Sequence, residues 1–173
     1  KINTETIHFP LHPDTPYEGK KLTELFRCTE EDLSNKNNHM KYLMEEENLS
    51  FMPRTYTYNS RLAQELGYWA EKIKGKFEIH DKIYHAYFYE QKNLSDPEVL
   101  IEIIDAVNLN HSEAKIVLSE RIYKDKIDKQ WEISYQAHVS GVPTYYINKK
   151  TLVGAQTEEN LISLLKYSDI NPK

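Results

Sequence analysis

A chain of 173 residues with 39% hydrophobic and 28% charged side chains has room for one well-packed core. With five Gly and seven Pro it is neither disordered, collagenous nor low in complexity. Its 22 Lys and Arg against 27 Asp and Glu, a formal net charge of −5, give no electrostatic footprint for a phosphate backbone or an anionic lipid surface, so neither nucleic acid nor membrane is an expected partner.

No apolar run approaches the ~18–20 residues of a membrane span. The opening Lys1-Ile2-Asn3-Thr4-Glu5-Thr6 lacks the apolar centre of a signal peptide, so a soluble chain is expected. The single cysteine, Cys28, allows neither an internal disulfide nor a multi-thiolate zinc site. Thirteen tyrosines suggest an amphipathic, wet-edged interior or groove.

From the N-terminus, Thr4 to Leu11 alternates apolar and polar residues and predicts a strand that ends in a loop at Pro10 and Pro13, with His8 facing away from Ile7 and Phe9. Helical spacing follows from Glu18 to Phe26, through Leu22, Leu25 and Phe26, and from Glu30 to Asn48, with Leu33, Met40, Leu43 and Met44 on one side. The run Asn35 to Asn38 weakens that helix locally. Pro53 breaks the chain. Asn59 or Ser60 then starts a helix through Lys74 that turns Leu62, Ala63, Leu66, Trp69, Ala70 and Ile73 inward and stops at Gly75.

A helix is predicted over Phe77 to Tyr89. Ser95-Asp96-Pro97 is a helix start, a capping side chain followed by a Pro that needs no donor, ahead of a buried stripe of Val99, Leu100, Ile103, Ile104 and Val107. Shorter and longer helices follow, Ser112 to Arg121 and Asp125 to Val139, the second closed by Gly141 in a left-handed conformation. Two β-rich runs, Pro143 to Ile147 and Thr151 to Gly154, flank the polar turn Asn148-Lys149-Lys150 and predict a hairpin. A last helix carries Leu161, Ile162, Leu164 and Leu165 on its apolar face.

Helix, Gly141-Val142-Pro143-Thr144, hairpin, helix resembles the C-terminal half of a thioredoxin fold. Further segments extend the likeness: Phe9-Pro10-Leu11-His12-Pro13-Asp14-Thr15-Pro16-Tyr17-Glu18-Gly19, Tyr58-Asn59-Ser60-Arg61-Leu62-Ala63-Gln64-Glu65-Leu66, His85-Ala86-Tyr87-Phe88 and Gly154-Ala155-Gln156. Together these resemble the DsbA-like, FrnE-like group of oxidoreductases, in register from about Ile7 to Leu165. The resemblance implies an α/β, thioredoxin-like fold of DsbA type with a large all-helical insertion. Residues 1–18 and 140–173 would form a partial thioredoxin-like domain, and residues 19–139 the insertion with the helix leading back to the sheet.

Family members begin with a strand and a helix whose connecting turn carries Cys-x-x-Cys. The present sequence starts after that point and is expected to be a fragment, and Cys28 matches neither family cysteine. The first strand and helix are therefore expected to be absent, leaving a gap in the sheet between Thr4–Leu11 and Thr144–Ile147, where unpaired ladder groups are costly.

The resemblance also implies site residues. The backbone of Val142, just before a cis Pro143, would pair with an extended substrate chain. His12 lies on the edge where family active sites sit, or is a polar loop residue. Asn59 is a helix cap or a contact to peptide or glutathione. Gly154 and Gln156 precede the last helix, whose amide end could meet an anion such as a glutathione carboxylate, or simply make a tight turn. His80 and His85, five apart, do not share a helix face as zinc ligands four apart would, so no metal is expected.

The expected function is thiol–disulfide oxidoreductase in the full-length protein, acting on a thiol- or disulfide-containing protein or peptide without a cofactor, with the 173-residue chain itself inactive for lack of Cys-x-x-Cys. Two alternatives stand beside it: a glutathione-dependent kappa-type transferase or 2-hydroxychromene-2-carboxylate isomerase, and a non-catalytic peptide-binding module. The family branch implies a cytoplasmic location, subject to any leader lost with the N-terminus.

Overall fold

The computed structural model describes residues 4–168, and the chain divides into two compact units, His12–Ile127 and Lys1–Leu11 with Asp128–Lys173. The sequence reading set these boundaries after residues 18 and 139. The earlier first boundary has a local cause: the Pro-rich loop that follows Leu11 is hydrogen-bonded to Asn59 and Asn93 within the helical unit.

The helical unit opens with β1 (Lys20–Lys21) and α1 (Leu22–Phe26). Next comes α2 (Glu30–Glu46), started by a capping box in which Thr29 Oγ1 accepts from the Asp32 amide at 3.1 Å and Asp32 Oδ2 accepts from the Thr29 amide at 3.0 Å. The asparagine run does not interrupt α2, because Asn37 turns its amide onto the backbone of Arg54, donating to its carbonyl and accepting from its N–H. Of the apolar face expected on α2, only Leu33 is buried; Met40 and Leu43 are exposed and Met44 is half-buried.

β2 (Tyr56–Thr57) pairs antiparallel with β1, Lys20 opposite Thr57 and Lys21 opposite Tyr56, so the insertion is not wholly helical. The single helix expected through Lys74 is α3 (Arg61–Tyr68) followed by a π turn (Trp69–Ile73), which Gly75 closes at φ +68°. Then come α4 (Ile79–Phe88), α5 (Pro97–Asp105) and α6 (His111–Ser119). Asp96 caps α5 by accepting from the Glu98 amide at 3.0 Å, with Pro97 in the first turn as the sequence requires. Leu66, Ile79, Leu100, Ile104 and Val107 are wholly buried where α3 to α6 meet, with Trp69 and Ala70 of the π turn in the same cluster.

One charge lies inside this unit. Glu65 on α3 is wholly buried, and its carboxylate accepts from Arg61 Nε at 2.6 Å and from Arg121 Nε and Nη2 at 2.8 and 2.6 Å. Arg61 also donates to the Lys124 carbonyl at 2.7 Å, tying α3 to the start of α7 (Lys124–Gln136).

In the second unit, the strand expected over Thr4 to Leu11 does not form. Alternation supplies two faces but no ladder partner, and side chains take the partner's place. The His8 amide and Nδ1 both approach Gln130 Oε1, at 3.1 and 2.6 Å, and Ser134 Oγ donates to the His8 carbonyl at 3.2 Å. The stop after α7 also differs from expectation. His138 (φ 54°), not Gly141, is left-handed, and the Val139 and His138 amides return to the carbonyls of Ser134 and Tyr135. That pair of bonds is the Schellman closure, and α7 reaches it three residues before the glycine.

β3 (Thr144–Ile147) and β4 (Lys150–Val153) form the expected hairpin, in register Thr144 with Val153 and Ile147 with Lys150. Asn148 (φ 47°) and Lys149 (φ 67°) make a turn with two left-handed residues, the geometry that suits strand twist. Among the described residues β3 pairs with β4 alone. α8 (Glu158–Tyr167) is capped by Thr157, whose side chain accepts from the Asn160 amide, and Leu161, Ile162, Leu164 and Leu165 on it are half-buried. Among the described residues no helix is long and apolar enough to cross a membrane.

Replacing Glu65 by Ala removes the buried carboxylate that both Arg61 and Arg121 bind and leaves a gap in the core of the helical unit, so unfolding in urea should become easier by about 3 kcal/mol. A loss below about 1 kcal/mol would show that Arg61 and Arg121 relax into solvent and that the carboxylate is no anchor.

Candidate functional site

The residues singled out by sequence fall into two groups. Val142, Pro143, Gly154 and Gln156 belong to the unit with the hairpin, and His12 and Asn59 to the helical unit.

At the head of the hairpin the Val142–Pro143 peptide bond is cis and the Val142 side is 51% exposed. Its neighbours are committed: Thr144 Oγ1 donates to the Gly141 carbonyl at 2.7 Å, and the Gly154 amide donates to the Pro143 carbonyl at 2.8 Å. Gly154 bends back to do so at φ +89°, a conformation that favours glycine. The backbone N–H and C=O of Val142 itself have no partner among the described residues. An exposed residue with both backbone groups unpaired beside a fixed turn is suited to an extended peptide chain.

Gln156 is occupied on both ends of its amide, Nε2 donating to the Val153 carbonyl at 2.8 Å and Oε1 accepting from Asn160 Nδ2 at 3.0 Å. Thr157 covers one free amide of α8, and Glu158 and Glu159 place two carboxylates in its first turn. An anion at that helix end would meet like charge, so Gly154 and Gln156 build a tight turn that holds Pro143.

In the helical unit the loop after Leu11 is short of donors, because Pro13 and Pro16 have no N–H. Its carbonyls are met from outside. Asn59 Nδ2 donates to the carbonyls of Pro13 and Thr15, each at 2.9 Å, and Asn93 Nδ2 donates to that of Tyr17 at 2.9 Å. Thr15 is buried and closes the turn on the His12 carbonyl with both its amide and its hydroxyl. Asn59 serves the helix as well, since its Oδ1 accepts from the Arg61 amide at 2.9 Å. Asn59 thus has the capping bond of one of its two sequence readings, and its amide N–H groups hold the chain's own loop.

Ser95 joins the two asparagines, its hydroxyl donating to the Asn59 carbonyl and its amide to Asn93 Oδ1. Gly19 ends the loop at φ +85°, where a Cβ would stand 2.6 Å from the Tyr58 ring and 2.8 Å from the Thr57 carbonyl. Asn93, Ser95 and Gly19 are not among the site residues expected from sequence. The available signal was the loop's donor shortage, which calls for amide side chains elsewhere in the chain.

The His12 ring is exposed, but partial desolvation, reinforced by the Lys20 charge, holds its pKa below the ordinary histidine value. His80 is taken up by Glu71, Nε2 to Oε2 at 2.8 Å, and His85 faces Glu90 at 3.3 Å. Among the described residues no three His, Cys, Asp or Glu side chains are grouped to hold a metal. Cys28 is half-buried at the end of α1, its amide bonded to the Thr23 carbonyl.

Residues 1–166 match the sequence pattern of the DSBA-like thioredoxin domain. The chain is 28% identical over 104 residues to the uncharacterized protein YwbO of Bacillus subtilis, a match covering 60% of this chain and 50% of that protein. It thus spans about half the length of this curated relative. It also superposes on the crystal structure of a probable DsbA oxidoreductase, SCO1869 from Streptomyces coelicolor, with a TM-score of 0.84 at 21% identity, over 94% of this chain and 74% of that one.

Replacing Asn59 by Asp keeps the acceptor for the Arg61 amide and removes both donations to the loop. Hydrogen exchange over residues 12–18 should therefore rise in Asn59→Asp nearly as much as in Asn59→Ala, with a stability loss of about 1–2 kcal/mol. Unchanged exchange in Asn59→Asp would reduce Asn59 to a cap.

The His12 ring should titrate by NMR below 6.5 and move upward in Lys20→Ala. The folded state then binds this proton less tightly than the unfolded chain. The stability linked to His12 is therefore complete above pH 6.5 and is lost as pH falls through the folded pKa.

Proposed function

Because the chain belongs to the DSBA-like thioredoxin domain family, we propose that it is the substrate-docking part of a thiol–disulfide oxidoreductase. In this reading the exposed backbone of Val142 receives an extended peptide carrying the substrate thiol or disulfide. The observation that carries it is at the hairpin head: the Pro143 carbonyl is held by the Gly154 amide, and beside it stands exposed Val142, whose N–H and C=O have no partner among the described residues.

The redox pair of such an enzyme needs two thiols, whereas these 173 residues contain Cys28 alone. The proposal therefore assigns both exchanging cysteines to sequence outside this chain. Attack of a thiolate on a substrate disulfide gives a mixed disulfide, which the second thiol resolves, releasing the substrate dithiol and leaving the enzyme pair oxidised. In that sequence Val142 and Pro143 orient the substrate.

Glutathione-dependent chemistry is the weaker reading. Its expected anion contact, the start of α8, carries two carboxylates and an occupied cap. A non-catalytic peptide-binding module shares the docking surface and differs only in the missing thiols.

Cysteine alkylation with intact-mass readout on the full-length protein, before and after reduction, separates these readings. Two thiols beyond Cys28 that become alkylatable only on reduction are expected, together with reduction of a disulfide-bonded test protein. Alkylation of Cys28 alone in both states would end the redox assignment and leave the docking module.

A further inference from the structure

The face that docks the first half of α2 lies open along its second half. Leu33, Asn37, Met40 and Met44 follow one another at intervals of three and four residues and share one side of the helix. Near the start this side is held: Leu33 is buried, and Asn37 bonds to the Arg54 backbone through both ends of its amide. Further along, Met40 and Leu43 are each 43% exposed and Met44 is half-buried.

The helix then closes in a way that lengthens the apolar strip. The Asn48 amide returns to the Glu45 carbonyl at 3.1 Å and the Leu49 amide to the Met44 carbonyl at 2.8 Å, with Asn48 left-handed at φ 56°. A closure of this kind sets the residue after it against the last turn, here beside Leu43 and Met44, yet Leu49 is 54% exposed. All three methionines of the chain, Met40, Met44 and Met52, lie in this stretch. Their unbranched side chains adapt to the shape of whatever packs on them.

The charge around the strip decides what that is. Residues 30–52 carry six carboxylates against Lys36 and Lys41, a net −4 out of the −5 of the whole chain. Three of those carboxylates stand where a helix least favours them. The C-terminal end of a helix is its negative end and draws cations, but α2 finishes on Glu45, Glu46 and Glu47 with no basic residue in its last turn. Lys41 reaches Glu45 at 3.7 Å, and Glu46 and Glu47 form no ion pair among the described residues. A second copy of this chain would bring the same carboxylates and be repelled, as would an anionic lipid surface. A helix that is apolar along one side and basic around it covers the strip and neutralises its border.

We propose that the second half of α2, together with Leu49, docks a basic amphipathic helix of a partner protein. The partner's apolar residues pack on Met40, Leu43, Met44 and Leu49, and its lysines and arginines meet Glu45, Glu46 and Glu47. The surface lies within the helical unit and uses no thiol, so it stands or falls separately from the redox reading.

The probe is a peptide of about 18 residues with leucine on one helical face and lysine on the other. It is titrated into the full-length protein carrying methyl-labelled methionine, and the Met40 and Met44 methyl resonances are followed by NMR, each identified by its loss in Met40→Leu or Met44→Leu. Saturable shifts of both are expected. A peptide with glutamate in place of lysine, and one with the same residues scrambled so that no apolar face forms, should each bind at least about tenfold more weakly. Leu43→Asn, at an exposed position, should weaken binding about fivefold. Charge reversal by Glu46→Lys with Glu47→Lys should weaken it about tenfold at low salt and less at high salt.

Absence of methyl shifts, binding of either control peptide as tight as that of the leucine–lysine peptide, or undiminished binding in Leu43→Asn would each overturn the proposal. So would methyl shifts produced by raising the protein concentration alone, because a second copy would then cover the strip. The three peptides on the wild-type protein decide even if a variant fails to fold.

Discussion

A carboxylate without access to water has to be neutralised where it stands, and Glu65 sets that requirement at the centre of the helical unit. Two guanidinium groups meet it, Arg61 from one turn earlier on α3 and Arg121 from beyond α6, and Arg61 continues to the Lys124 carbonyl at the start of α7. Charge attraction in a medium of low polarity is strong and its hydrogen bonds are directional, so α3, the end of α6 and the first turn of α7 have little freedom to slide once these bonds form. The apolar cluster around Leu66, Leu100 and Ile104 adds most of the buried area, but area alone leaves the helices free to choose a register.

The same logic of supply and demand for hydrogen bonds runs through the loops. The Pro-rich loop lacks donors and is met by Asn59 and Asn93; the segment before it lacks a ladder and is met by Gln130 and Ser134. At the hairpin head the demand is left open at Val142. Polar groups that a fold takes trouble to position and then does not satisfy are the natural places for a second molecule.

Much of this was legible beforehand. Ser95-Asp96-Pro97 announced α5 because a cap and a donor-free residue can stand in that order almost nowhere else. The hairpin was written in two β-rich runs around Asn148 and Lys149. The fold family was legible from the order of its segments. Thr4 to Leu11 has the alternation of a strand and forms none, because alternation reports which faces a segment offers and is silent on whether a neighbour exists to pair with. His138 replaced Gly141 as the helix stop because closure depends on where the last hydrogen bond falls, which composition fixes only loosely. On α2, Met40 and Leu43 have the spacing of a buried face and lie exposed, since periodicity cannot say what, if anything, lies opposite. Glu65 was invisible for a further reason: a charged residue gives no sign in sequence of being buried, and of its two partners Arg121 lies far away in the chain.

The π turn at Trp69–Ile73 has a consequence for how this chain lines up with its relatives. A π turn accommodates one residue more than the α turn it replaces, and the helix resumes with its faces unrotated. Leu66 before it and Trp69 and Ala70 within it, three and four residues further on, all reach the core. A homologue one residue shorter could therefore carry a straight helix here and keep the residues on either side in equivalent positions. The gap belonging to such an alignment would fall inside a secondary-structure element instead of in a loop, so a method that forbids gaps in helices would misplace every residue between Tyr68 and Gly75.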